Sequence, residues 1–178
     1  MIDIIIQTFW LLLPAGFANM APVLFKWIPF INYPVDFNRK FRNKPIFGKN
    51  KTYRGFLFGI LTAILIVFIQ KNLYESTSSI SLINYSEINV FLLGFLMGFG
   101  ALFGDLIESF FKRQIGIGPG KPWFPFDQTD WVIGSLIFSA FYIHIEIKIM
   151  VVSILLFGIL HPIINLIGYY LGIKKNKF

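Results

Sequence analysis

The 178-residue sequence contains no cysteine. Disulfide frameworks, thiolate metal centres and thiol nucleophiles are therefore excluded. Charge is scarce as well: Asp, Glu, Lys and Arg make up 14% of the chain, with 9 acidic residues against 16 basic ones. Histidine occurs only as His144 and His161, far apart and without metal-ligand spacing, so both read as packed or interface histidines. A polar surface is missing too. Hydrophobic residues account for 56% of the chain, Phe alone for 22 positions, and the mean hydropathy is +0.68. A soluble domain of this length has too little interior for so many apolar side chains. The composition is that of an integral membrane protein with no separate soluble domain. No RNA-binding motif accompanies the net charge of +7, which points to an anionic lipid surface or anionic substrates instead.

Five apolar runs follow one another. The first, Ile4 to Phe25, is charge-free and long enough to span a bilayer, with Pro14, Gly16, Asn19 and Pro22 predicting a kinked helix. With neither a basic n-region nor a small-residue cleavage site, it reads as a retained helix. Gly55 to Gln70 is short for a span, so Tyr53 and Leu73 must extend it. Ile88 to Gly104 carries Gly94, Gly98 and Gly100, which allow close helix packing, and continues to Phe111. Trp131 to Ile145 and Ile149 to Ile173 complete the set, which contains no internal repeat. Nearly all Lys and Arg then fall on one side: the loop 26–54, the stretch after Asp105, and the tail Lys174, Lys175, Lys177. Only Lys71 and Lys148 fall on the other. The asymmetry predicts five transmembrane helices with the N-terminus outside and the basic side in the cytoplasm.

The stretch Gly104 to Trp131 holds Asp105, Glu108, Asp127 and Asp130 beside Lys112, Arg113 and Lys121. Ionisable residues at membrane depth are costly and mark functional sites. Asp105, Glu108, Ser109 and Lys112 share one helical face by their spacing. The Gly/Pro-rich segment that follows reads as a loop, and Asp127 reads as the cap of the next helix, with Asp130 one turn on. Convergent carboxylates suit a hard cation such as magnesium, held by Asp105, Asp127 and Asp130. Arg54, Lys112 and Arg113 would neutralise phosphate charge. The segment Gly48-Lys49-Asn50-Lys51-Thr52-Tyr53-Arg54-Gly55 places cations and a hydroxyl just before a helix N-terminus, a position that favours phosphate. The rest of the loop reads as contacts to anionic headgroups.

The pattern Gly104-Asp105, Ser109-Phe110, Lys112-Arg113, Gly116-Ile117, Gly120, Pro125, Asp127-Gln128 and Asp130 resembles the signature of the CDP-archaeol synthases. These are CTP-dependent cytidylyltransferases related to phosphatidate cytidylyltransferase. The likeness extends to Pro14-Ala15, Ala18-Asn19 and Ala21-Pro22, to Pro34-Val35-Asp36-Phe37, and to the segment 48–55, where Tyr53 replaces the family's usual Trp. It implies an all-α membrane protein of five helices forming a single cytidylyltransferase domain over 1–178, with cytoplasmic loops 26–54 and 112–128 forming the site. The implied reaction moves CMP from CTP to a lipid phosphate and releases pyrophosphate, with magnesium. The acceptor would be an archaeal ether lipid or phosphatidate-like, in the plasma membrane, and a homodimer is compatible with the sequence. The resemblance carries over Asp105, Lys112, Arg113, Asp127 and Asp130 as catalytic residues. Asn50, Thr52, Arg54, Ser109 and Gln128 would contact substrate. Glu108 lies outside the motif. Its spacing makes it a candidate ligand, and Lys112 at i+4 offers it an ion pair instead. Two other classes compete. A CDP-alcohol phosphotransferase would need an Asp-Gly, Ala-Arg, Gly, Asp, Asp pattern that is missing. An ion or solute transporter leaves the basic, Thr-containing first loop unexplained.

Overall fold

Four long helices and one short one pack around a common core in this computed structural model, which describes residues 2–170. The tail Lys174, Lys175, Lys177 and the end of the fifth apolar run lie outside the described residues. Helix α1 spans Ile2–Leu24, α2 Tyr53–Asn72, α4 Val90–Gln114, α5 Phe126–Ser139 and α6 Ile147–Tyr170. The single turn α3, Tyr74–Thr77, and a 3-10 turn at Ser78–Ile80 lie in the connector between α2 and α4. Helices α1, α2 and α4 are long and apolar enough to cross a membrane. Helix α5, at 14 residues, falls short of that length, and α6 runs for 24 residues.

Several element boundaries differ from the sequence reading. Pro14 and Pro22 sit inside α1, which is assigned as one continuous helix. Helix α4 continues past Phe111 to Gln114 because Lys112 and Arg113 find polar partners. Helix α5 starts at Phe126 and ends at Ser139, so Phe141 to Ile145 belong to a turn, not to a span. The two site loops are accordingly shorter, at residues 25–52 and 115–125. The first is not wholly irregular. Strands β1 (Lys40–Phe41) and β2 (Lys44–Pro45) pair antiparallel around Arg42-Asn43, whose φ values of 50° and 62° suit a tight hairpin turn.

The core holds Leu11, Leu12 and Ala15 of α1, Val67 of α2, Leu93, Met97 and Ala101 of α4, and Trp131, Val132 and Leu136 of α5. Leu57, Leu61, Leu65 and Phe68 of α2 point outward, as a lipid-facing stripe requires. Close packing comes from the glycines of α4. A Cβ on Gly94 would lie 2.5 Å from Ile64 Cα of α2. One on Gly104 would overlap the carbonyl of Asp130 on α5, and one on Gly134 the carbonyl of Gly100. Backbone meets backbone there, and this contact brings the acidic residues of α4 and α5 together.

Candidate active site

The last three turns of α4 and the first turn of α5 supply the charged side chains. Asp105, Glu108 and Asp130 each present a carboxylate oxygen, all within 4.8 Å of one another. Glu108, 6% exposed, also sits 3.3 Å from Lys112 Nζ. Lys112 Nζ in turn donates to Asp127 Oδ1 at 2.6 Å. Asp127 therefore serves as the partner of Lys112, whereas the grouped trio takes Glu108, which the family motif lacks. Asp127 is not the cap of α5 either. Pro125 occupies that position, and Asp127, two residues into the helix, accepts the Trp123 N–H at 2.7 Å. It thus ties the incoming loop to the first turn. On the other flank, Lys51 Nζ lies 2.5 Å from Asp105 Oδ2. Four carboxylates thus face two ammonium groups, leaving an excess of negative charge that suits a divalent cation. The donors are all oxygen, as magnesium prefers.

The first loop reaches this cluster because Asp36 folds it. The Asp36 carboxylate, in a residue 6% exposed, accepts three backbone N–H groups: Asn38 at 2.9 Å, Phe47 at 2.9 Å and Gly48 at 3.2 Å. The hairpin is fastened to the end of α4, where Lys44 Nζ donates to the Gln114 carbonyl and Gln114 Nε2 to that of Pro45 at 3.2 Å. Phe41 and Phe47 pack against Phe110, the first tilted and the second edge-on.

Three adjoining hollows result. A polar cleft lies between the loops and α4, bounded by Lys49, Asn50, Lys51, Asp105, Glu108, Ser109, Lys112 and Asp127. Outward from it opens a cavity of about 520 Å³ lined by Lys40, Lys44, Lys49, Asn50, Arg113 and Gly118. An apolar groove of about 400 Å³ runs between α4 and α5 along Phe103, Ile107, Phe111, Ile133 and Phe138, with Glu108 and Asp130 part-way along its wall.

The remaining predicted residues fall in different places. Asn50 is exposed and borders both the cleft and the cavity. Ser109 is buried on the cleft wall. Gln128 is 3% exposed with its Oε1 unpartnered. Arg113 Nη1 braces the Ile117 carbonyl at 2.6 Å, while its Nε has no partner. Thr52 is the N-cap of α2, its hydroxyl accepting Gly55 N–H at 3.2 Å. Arg54 is 7% exposed and donates to the Ile28 carbonyl at 2.5 Å. Neither Thr52 nor Arg54 borders the cleft or the cavity. Of the two histidines expected to be packed or at the interface, His144 is exposed because α5 stops before it, and His161 is half-buried in α6.

Sequence reasoning missed Lys51 and Asp36 as parts of this arrangement. Lys51 is one cation among many in a basic loop. Asp36 carries a signal in retrospect: a lone acid between Pro34-Val35 and a turn, able to accept backbone N–H groups.

A family profile described as CDP-archaeol synthase, CarS-like, matches residues 1–178. A CDP-archaeol synthase of Pyrococcus furiosus is 40% identical over 136 residues, covering 76% of this chain and 75% of the relative. One of Methanoculleus marisnigri is 36% identical over 172 residues, covering 92% of this chain and 98% of the relative. A solved structure described as an intramembrane enzyme for archaeal membrane lipid biosynthesis superposes with a TM-score of 0.71 at 26% identity, over 89% of this chain and 92% of the other. Through its sequence along the whole length and the fold that places these carboxylates between α4 and α5, the chain belongs to the CDP-archaeol synthase family.

Proposed function

We propose that this protein transfers CMP from CTP to a lipid phosphate within the bilayer, giving a CDP-activated lipid and pyrophosphate. One observation carries the reading: the polar cleft shares Lys49, Asn50 and Arg113 with the cation-lined cavity and shares Glu108 of the carboxylate cluster with the apolar groove. A triphosphate suits the cavity and a hydrocarbon chain the groove. The reacting phosphates would then lie between them.

Lys40, Lys44, Lys49 and Arg113 would hold the triphosphate in the loop cavity. The lipid chain would lie along Ile107, Phe111, Ile133 and Phe138, with its phosphate where Glu108 and Asp130 border the groove. A phosphate monoester is already a nucleophile at neutral pH, so no Ser or His base is required. Its oxygen attacks the α-phosphorus, the bond from that phosphorus to the bridging oxygen of the β-phosphate breaks, and pyrophosphate leaves with the bond's electrons. Catalysis of this kind is mostly positioning and charge neutralisation. Asp105, Glu108 and Asp130 would hold magnesium, which when bound supplies Lewis-acid stabilisation of phosphate charge. Lys112, anchored between Glu108 and Asp127, presents a fixed positive charge in the same cleft. Asn50 and Ser109 offer hydrogen bonds on its walls. Asp127 supports the start of α5, while Gln128, buried with a free Oε1, keeps its place as a substrate contact. Thr52 and Arg54 act by shaping the loop rather than by touching substrate.

The residues form a single membrane-embedded domain over 1–178, with five crossing helices, α1, α2, α4, α5 and α6. The N-terminus lies outside and the site on the cytoplasmic side of the cell membrane, as the distribution of Lys and Arg supports. The test is incubation of purified protein with labelled CTP, magnesium and a panel of lipid phosphates, both ether-linked isoprenoid and ester-linked acyl. Formation of a CDP-lipid with the isoprenoid acceptor supports the reading. Absence of any labelled lipid from an otherwise folded preparation would sink it.

A further inference from the structure

Lys51 occupies an unusual position for a loop lysine. Its Nζ lies 2.5 Å from Asp105 Oδ2, one of the three carboxylates grouped closely enough to hold a cation. It comes from neither helix that carries the acids, but from the residue immediately before the N-cap of α2. Its backbone is held on both sides: its N–H donates to Gly48 at 3.3 Å and its carbonyl accepts from Val35 at 2.8 Å. The side chain alone is left to move, a four-carbon stem ending in a compact, rotatable charge. Its side chain is 23% exposed and that of Asp105 25%, so both border the cleft that would hold the phosphates. By contrast, Lys112 is wedged between Glu108 and Asp127 and only 9% exposed. The two lysines therefore differ in kind: one is fixed, the other has somewhere else to go.

We propose that Lys51 is an exchangeable counter-ion, whose ammonium neutralises Asp105 when no metal is bound and transfers to the nucleotide phosphates when a divalent cation takes its place. The proposal rests on the magnesium and CTP reading given above. Two cations cannot share one carboxylate oxygen without strong mutual repulsion. Metal binding to the protein alone therefore displaces Lys51 into a cleft whose other carboxylates are already engaged, Glu108 within the metal-binding trio and Asp127 by Lys112. Nucleotide supplies a free anion. Metal and nucleotide consequently strengthen each other's binding, and by linkage they do so equally. Lys51 is a positioning residue here for the empty site and a phosphate contact for the loaded one.

The absence of native cysteine provides the test. Lys51→Cys is purified in detergent, divided in two, and one half treated with bromoethylamine, which rebuilds a lysine-like ammonium in the folded protein. Mn²⁺ is then titrated by electron paramagnetic resonance, first without nucleotide and then with a non-hydrolysable α,β-methylene analogue of CTP. Without nucleotide, the untreated half is expected to bind Mn²⁺ about tenfold tighter than the treated half or wild type, within the ordinary range of coupling between sites. With the analogue, that advantage is lost, because the charge that would meet the phosphates is gone. Lys51→Met serves as a second uncharged variant and must behave like the untreated half. Equal or weaker Mn²⁺ binding in the uncharged proteins would show that Lys51 is a permanent tie between loop and α4, overturning the exchange while leaving the metal reading intact. No Mn²⁺ binding in any of the proteins would overturn the metal reading, and the exchange with it.

Discussion

At the scale of single residues, the site separates groups that bear on the reaction from groups that build it. Asp105→Asn and Asp130→Asn each remove a carboxylate from the closely spaced trio, and each is expected to lower kcat on the order of a hundredfold or more while the protein still inserts. Steady-state assays at saturating magnesium check this; near-native turnover in either variant would place the metal elsewhere. Arg54→Ala is expected to act differently. It removes a buried guanidinium from the Ile28 carbonyl, costing about 1–3 kcal/mol of stability. Its thermal midpoint in detergent should fall, whereas the KM for CTP of the surviving folded enzyme stays close to wild type. A large KM effect without loss of stability would return Arg54 to the list of substrate contacts. Spacing alone made part of this legible. Asp105, Glu108, Ser109 and Lys112 recur at helical intervals, and they do line one wall of the cleft. Spacing could not assign partners, because that depends on how α5 approaches. Asp127 meets Lys112, while Glu108 makes the i,i+4 contact with Lys112 that its spacing suggests and also joins the trio.

At the scale of elements, α4 and α5 act as one unit. Gly104→Ala would press a methyl group into the carbonyl of Asp130, and Gly134→Ala would do the same to Gly100. Neither neighbour is a flexible side chain, so the helices must separate, at a cost of about 1–3 kcal/mol. Both variants should lose activity together with thermal stability. Gly16→Ala in α1 is the control, since only the Trp131 ring lies near its added Cβ, at 3.7 Å. Activity retained in Gly104→Ala would mean that the close approach does not set the site. The glycines of α4 were readable as a packing face, but not which partner each one serves. Gly94 and Gly98 turn out to serve α2, and Gly100 and Gly104 serve α5. The helix ends were less readable, because a charged residue stops an apolar run in sequence while adding a turn in structure. Asp105 lies nine positions before the last residue of α4, which at about 1.5 Å per residue puts it roughly 13 Å below the helix end.

At the scale of the whole molecule, the distribution of charge makes a claim about sidedness. Because the chain lacks cysteine, single introduced thiols report topology without background. In intact cells, Ser81→Cys in the connector before α4 should react with an impermeant maleimide added outside. Lys121→Cys in the exposed loop between α4 and α5 should react only after permeabilisation. The reverse pattern would place the site on the outer face, away from nucleotide. Removal of divalent ions by a chelator should abolish CDP-lipid formation, with magnesium restoring it. Activity that persists in chelator would mean that the Lys and Arg side chains neutralise the phosphates without a metal.

The contact between α4 and α5 has a further consequence for an enzyme surrounded by lipid. An interface made of side chains loosens on warming as more rotamers become populated, and it tightens when the surrounding hydrocarbon stiffens. Where Gly104 meets the Asp130 carbonyl and Gly134 meets that of Gly100, there are no rotamers to populate. The separation of the α4 and α5 main chains beside Asp105 and Asp130 is thus fixed by van der Waals radii. Such a gauge keeps its setting whether the bilayer around it is fluid or ordered, so the spacing of the helices that carry the charged groups does not follow the state of the membrane whose lipids they help to make.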